Sequence, residues 1–282
     1  MGSTSGAARP RPVSDRPLAV LDIVDGSFAA LRQRPRTLIA VVLPVLVPLE
    51  VLQAYLSRHV LGGVGLADVW ADPTVAGEQA SAGSSVVPML TDLILGSLAV
   101  SVSGVAVAHV VTGWLEGRDP SAAQALGAVA RRWWVVLSAW LVVRVLQALA
   151  AVVFVVPALF VVALLSVTSP VVAVEGRGPW ASVRRSASLV RPRLGPVLGV
   201  VLLAGVVSYG VSQAIEALPA TIALILGPDR AWPLLAASGI LSSLVVVPFV
   251  AASATLTYLD LRFRTEGLDL ERDASEVLPG VG

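Results

Sequence analysis

The sequence predicts an all-α fold, a polytopic membrane helical bundle of six transmembrane helices with three interfacial amphipathic helices in a pseudo-threefold repeat. Three observations carry that expectation. The composition lies far outside that of a soluble globular chain, with 56% hydrophobic residues, 14% charged residues and a mean hydropathy of +0.82. Apolar stretches recur that are long enough, at about 1.5 Å per helical residue, to cross a hydrocarbon core of about 30 Å. Three shorter segments each combine a line of apolar residues with a cluster of arginines, and each leads into one of those stretches.

Residues 1–16, MGSTSGAARPRPVSDR, hold Arg, Pro, Gly and Ser without an apolar run, and read as a disordered cytoplasmic tail rather than a signal peptide. Residues 17–264 form a single transmembrane domain. Its first surface helix, within 17–36, places Leu21, Val24, Phe28 and Leu31 at i, i+3, i+7 and i+10, with Arg32, Arg34 and Arg36 behind them. Span 1 is 37–57, with kinks expected at Pro44 and Pro48. A polar loop over 58–85 follows, expected outside the cell and least ordered of the internal segments, with Trp70 as its one anchor. Span 2, 86–115, has a small-residue face at Ser97, Ser101, Gly104 and Ala108 suited to close helix contact.

The second surface helix starts at Asp119-Pro120-Ser121, with Asp119 as N-cap and Pro120 as first helical residue. It presents Ala122, Leu126 and Val129, and ends in Arg131-Arg132 beside Trp133-Trp134, where an aromatic belt belongs. From 134 to 174 the only formal charge is Arg144, over about twice the length one span needs, so the chain must turn back. Spans 3 and 4 are placed at 134–153 and 154–174, with Pro157 in the first turn after a very short connection. In 171–193, Gly178-Pro179 opens the third surface helix, whose line is Trp180, Val183, Ala187 and Val190. Five arginines (177, 184, 185, 191 and 193) surround that line, with stems able to lie along lipid while their heads reach phosphates. Span 5 is 195–218, with Gly195, Gly199, Gly205 and Gly210 as packing sites. Residues 219–232 either extend it or lie on the outer surface before the turn at Gly227-Pro228-Asp229-Arg230. Span 6 is 233–258, and 265–282 is an acidic cytoplasmic tail.

Aligning Leu31, Val129 and Val190 superposes three units of surface helix, arginine cluster, span and return span. Each unit crosses twice, which puts all three surface helices and both termini on one side. That side holds seventeen of the twenty arginines, so the positive-inside rule assigns it to the cytoplasm.

Chemistry is bounded mainly by exclusion. All basic residues are arginine and cysteine is absent, which removes P-loop and Schiff-base lysines, disulfides, thiolate nucleophiles and thiolate metal sites. The two histidines, His59 and His109, lie in different regions, and no HExxH, GxSxG or facing aspartate pair is present. No catalytic residue, cofactor, metal or nucleic-acid partner is expected. The charges placed inside the membrane are Glu50, Asp92 and Arg144. Counted along their spans, Arg144 lies about 15 Å deep, and Glu50 and Asp92 share a level about 20 Å from the inner side. A lone arginine at the bilayer centre costs about 2.5–3.5 kcal/mol, so Arg144 is expected to pair with Glu50, Asp92 or both.

Three passages carry a family resemblance: RPLAVLDIVDGSFAALRQRPR, VVAVEGRGPWASVRRSASLVRPRLGPVLG and YLDLRFRTEGLDLE. They resemble uncharacterised actinobacterial multi-pass membrane proteins similar to the membrane domain attached to some glycerophosphodiester phosphodiesterases. The resemblance implies six helices and a bacterial plasma membrane, and it brings no catalytic residue, because the phosphodiesterase activity of such fusions belongs to a separate barrel. Three functions are weighed from the residues themselves, of which an intramembrane enzyme finds no catalytic motif to support it. Of the remaining two, one is a non-enzymatic scaffold that organises anionic lipid or unknown protein partners around a basic inner face; the other is a small permease built on the intramembrane charges.

Overall fold

The computed structural model describes residues 19–60, 70–72 and 86–266. Residues 1–16, residues 267–282 and most of the 58–85 loop lie outside the described residues, so the expectations made for their order do too, while Thr265 and Glu266, expected in the acidic tail, continue the last helix. Of that loop, Trp70 is described and is exposed.

The described residues are almost all helical, without a strand, and six helices are long and apolar enough to cross a membrane. The elements are α1 (Val20–Gln33), α2 (Pro35–Val60), α3 (Val86–Leu115), α4 (Ala122–Arg131), α5 (Trp133–Val153), α6 (Val155–Leu165), α7 (Thr168–Glu175) and α8 (Pro179–Val190). A 3-10 turn (Arg191–Arg193) leads to α9 (Leu194–Leu226) and α10 (Pro228–Glu266). The crossing helices are α2, α3, α5, α6 with α7, α9 and α10. Ion pairs from Arg34 to Asp119 and from Arg185 to Glu266 put the start of α2, the end of α3, the start of α8 and the end of α10 at one end of the bundle. We call this the terminal face, and the opposite end the loop face.

Each boundary has a local cause. Phe154, in extended backbone, separates α5 from α6 with a single residue, so the turn falls where the doubled apolar length requires one. A second break at Ser166-Val167 divides the return span into α6 and α7. Pro44 and Pro48 lie inside one continuous α2. Pro219 does not stop α9, which runs on to Gly227, a glycine at φ 84°. Residues 219–226 therefore extend the span. Gly178 caps α8 with Pro179 at the first position, as the sequence implies.

The start of α4 differs from the expectation. Ser121, not Asp119, is its N-cap, and Ser121 and Gln124 form a reciprocal capping box, with 3.3 Å and 2.9 Å bonds. That box satisfies two backbone N–H groups, and Asp119 is released to pair with Arg34.

The centre of the bundle is α3, which packs against α2, α5, α7 and α10. Ala106, Val107, Ala108 and Val110 are fully buried, and Gly104 lets Ser169 approach so closely that a Cβ there would sit 3.2 Å from its Oγ. The glycines of α9 do not repeat this. Gly199 touches Val20, whereas Gly195, Gly205 and Gly210 face open space.

The three short helices dock in rotation: α4 on α2 and α3, α8 on α5, α6 and α7, and α1 on α9 and α10. In α4 the expected line packs on the core, with Val129 buried and Ala122 and Leu126 beside it, whereas in α1 and α8 the buried face is rotated partly off the expected line. In α1 the buried residues are Ile23, Val24 and Ser27, with Phe28 against Phe249 at 4.6 Å between ring centroids, and Leu21 is exposed. In α8 the buried set is Ser182, Val183, Ser186, Leu189 and Val190, while Trp180 is exposed. Buried hydroxyls explain the shift. Ser186 donates to the Leu164 carbonyl at 2.8 Å and Ser253 to Ser27 at 2.9 Å, so serines share the inward face with Phe28, Leu189 and Val190.

Candidate functional site

Two cavities with mostly apolar walls and a few polar groups lie along the bundle. The loop-side cavity, about 520 Å³, is enclosed by α2, α3, α9 and α10 and runs from Gln53 and Trp232 down to Leu46 and Val247. It holds two carboxylates, Glu50 from α2 and Glu216 from α9. Ser243 donates to Glu50 Oε1 at 2.6 Å, and Gly239 leaves the room its other oxygen uses, since a Cβ there would lie 2.9 Å from Oε2. Ser212 and Ser242 share a 2.8 Å hydrogen bond across the same space. At the mouth Tyr55 meets Trp232 edge-on at 6.1 Å.

The terminal-side cavity, about 320 Å³, lies between α3, α5, α6, α7, α9 and α10. Its one charged lining residue is Arg144, whose Nη1 donates to Gln147 at 2.9 Å. Val100 lines both cavities, and Trp140 in the wall of one donates its ring N–H to Ser97 in the wall of the other at 3.0 Å.

These contacts do not bring Glu50 and Arg144 together, and the expected pairing of Arg144 with Asp92 falls on a side chain outside the described residues. Glu50 turns to Ser243 and Arg144 to Gln147, in different cavities. Counting residues along a span gives depth but not direction around the axis, and here α3 packs between α2 and α5. The side chain of Asp92 lies outside the described residues. Glu216 was missed for a related reason. Ending span 5 at 218 put Glu216 at its rim, whereas α9 continues to Leu226 and carries Glu216 into the cavity wall.

The terminal face is knitted by charge. Glu175, at the end of α7, accepts from Arg185 at 3.0 Å, from Arg177 and from the buried Tyr258 hydroxyl at 3.2 Å. Arg262 links Tyr258 to Glu266, which also takes Arg185. Arg34 lies over the Trp114 ring at 5.3 Å and bonds Asp119, and that hydrogen bond holds the Asp119 carboxyl below the usual carboxylate range. Arg177 and Arg185 thus serve protein contacts rather than headgroups. By contrast Arg32, Arg36, Arg131, Arg132, Arg184, Arg191 and Arg193 are exposed and meet no acidic partner among the described residues. Among the described residues no three of His, Cys, Asp or Glu converge on a metal position.

The fold is that of a multi-pass α-helical membrane protein, with a charged terminal face and an apolar interior that holds a few polar side chains in its cavities. No protein-family model, curated protein or solved structure matches the chain.

Proposed function

We propose that the chain is a non-enzymatic integral protein of a bacterial plasma membrane that gathers anionic lipid, and partners bound to it, around a basic cytoplasmic face. The observation that carries this reading is the rim of seven exposed arginines just described, set beside exposed Trp133, Trp134 and Trp180 at the same end of the spans. Indole rings favour headgroup level, and each arginine near an anionic leaflet is worth about 1 kcal/mol. The arginine excess supports cytoplasmic termini, and the resemblance of 16–36, 171–199 and 258–271 to actinobacterial membrane proteins supports the membrane assigned. The rotating docking of α1, α4 and α8 supports a threefold plan that repeats the basic rim around the bundle.

Lipid retained through mild detergent extraction tests the proposal. Wild type is expected to carry anionic lipid enriched over the bulk membrane. Replacing Arg184, Arg191 and Arg193 together by glutamine removes about 3 kcal/mol before screening, roughly a hundredfold, and should abolish the enrichment. Bulk lipid composition in both proteins would reject it.

A second reading, a small permease, is favoured by the two cavities lying end to end with Val100 in both walls. The cysteine-free sequence makes the test clean. In oriented vesicles, Ser242→Cys should react with a membrane-impermeant thiol reagent from the loop face and Ser169→Cys from the terminal face. Protection of both positions from both sides would reject passage through these cavities.

A further inference from the structure

Arg144 Nε and Ser208 Oγ are buried and meet no hydrogen-bond partner among the described residues, and both line the terminal-side cavity. They come from helices on different sides of it, α5 and α9, so the unmet donors converge on one space instead of marking two unrelated packing faults. Ser101 from α3 and Ser169 from α7 add hydroxyls to the same wall. No described residue lining the cavity is acidic. Arg144 meets no carboxylate among the described residues, a lone guanidinium at mid-membrane depth is costly, and Gln147 supplies a neutral acceptor to one nitrogen only. The missing component is negative, oxygen-bearing and small.

We propose that this cavity is an oxyanion site, in which Arg144 and Ser208 hold one carboxylate or phosphate group and the valine walls take a short apolar stem. A planar guanidinium with Nε and a terminal nitrogen free presents the fork that suits two oxygens of one anion, which a halide cannot match. The volume of about 320 Å³ lies at the low end for ligand sites and fits one small anion or one lipid headgroup. The inference does not depend on the exposed arginine rim, which lies at the terminal face rather than inside the bundle.

The full chain, purified and delipidated, is titrated with sodium phosphate, sodium butyrate and sodium chloride at constant ionic strength. Readouts are the thermal unfolding midpoint and tryptophan emission, since Trp140 lines the cavity. Phosphate or butyrate should give saturable stabilisation that chloride does not. Arg144→Gln should weaken that response by about tenfold or more, and Ser208→Ala by a smaller factor. Arg144→Leu tests the same point without a ligand: its midpoint in anion-free buffer should rise above wild type, because the uncompensated charge is gone. Native mass spectrometry separates the sources, with a lipid phosphate retained by wild type and lost from Arg144→Gln if the anion is a headgroup. A wild type with no saturable response and no Arg144-dependent lipid overturns the site, as does an Arg144→Gln protein that responds like wild type.

Discussion

Replacing Gly113 by alanine is expected to destabilise the detergent-solubilised protein by about 3 kcal/mol, near the upper end for overpacking. A Cβ at that position would lie 2.3 Å from Cγ and 2.8 Å from Cδ of Pro120. Contacts that short are relieved only by movement, and the usual escape is unavailable because a proline ring is tied to its own backbone at both ends. The backbone around it is fixed too. Gly117, at φ 78°, ends α3, and Arg118 N–H donates to the Gly113 carbonyl at 2.8 Å, the hydrogen bond of a helix-terminating turn that swings Pro120 back over Gly113. This turn delivers α4 to its seat on α2 and α3, so the clash acts on the whole corner. Pro120→Ala should by itself cost much less. In the double variant the ring is gone and only Pro120 Cβ, 3.8 Å away, remains near the new methyl. Thermal unfolding of the four proteins should therefore show a favourable coupling of about 2 kcal/mol. Simple addition of the two single effects would show that the ring contact is not what fixes the corner.

What the sequence made legible follows from which physical constraint each feature obeys. Span number and position are set by apolar length, a one-dimensional quantity, so α3 and the reversal at Phe154 could be read directly. Register around a helix axis is different. The apolar line of α1 looked like Leu21, Val24, Phe28 and Leu31, yet Ser27 is fully buried and Leu21 exposed, because hydrophobicity no longer marks the inward face where lipid is as apolar as the core. The same loss of direction kept from view that Glu50 and Arg144 line different cavities and that Glu50 shares its own with Glu216. Ser121 and Gln124 stand at capping-box spacing, a stronger start signal than Asp119-Pro120.

Glu175 offers the other large expected effect, and it tests whether the terminal face is held by charge or only decorated with it. Its side chain is 10% exposed and ties α7 to α8 through Arg185 and to α10 through Tyr258. Removing one member of a buried charged group leaves the others desolvated and unpaired, which costs about 3–5 kcal/mol when no second partner exists. Here Arg185 keeps Glu266, and Tyr258 keeps the Arg262 contact at 3.3 Å, so Glu175→Ala should cost about 3 kcal/mol, the low end of that range. Glu175→Gln retains an acceptor for the tyrosine hydroxyl and should cost about half as much, the difference reporting the acceptor rather than the charge. Arg177 is the internal control. It bonds the same carboxylate but is 49% exposed, and solvent screening should hold Arg177→Ala below about 1 kcal/mol. Unfolding midpoints of the three variants in one detergent decide the matter: if Arg177→Ala matches Glu175→Ala, the carboxylate is a surface pair, and the α7–α8–α10 corner must be held by the apolar cluster of Val171, Leu189, Val190 and Leu261 beneath it.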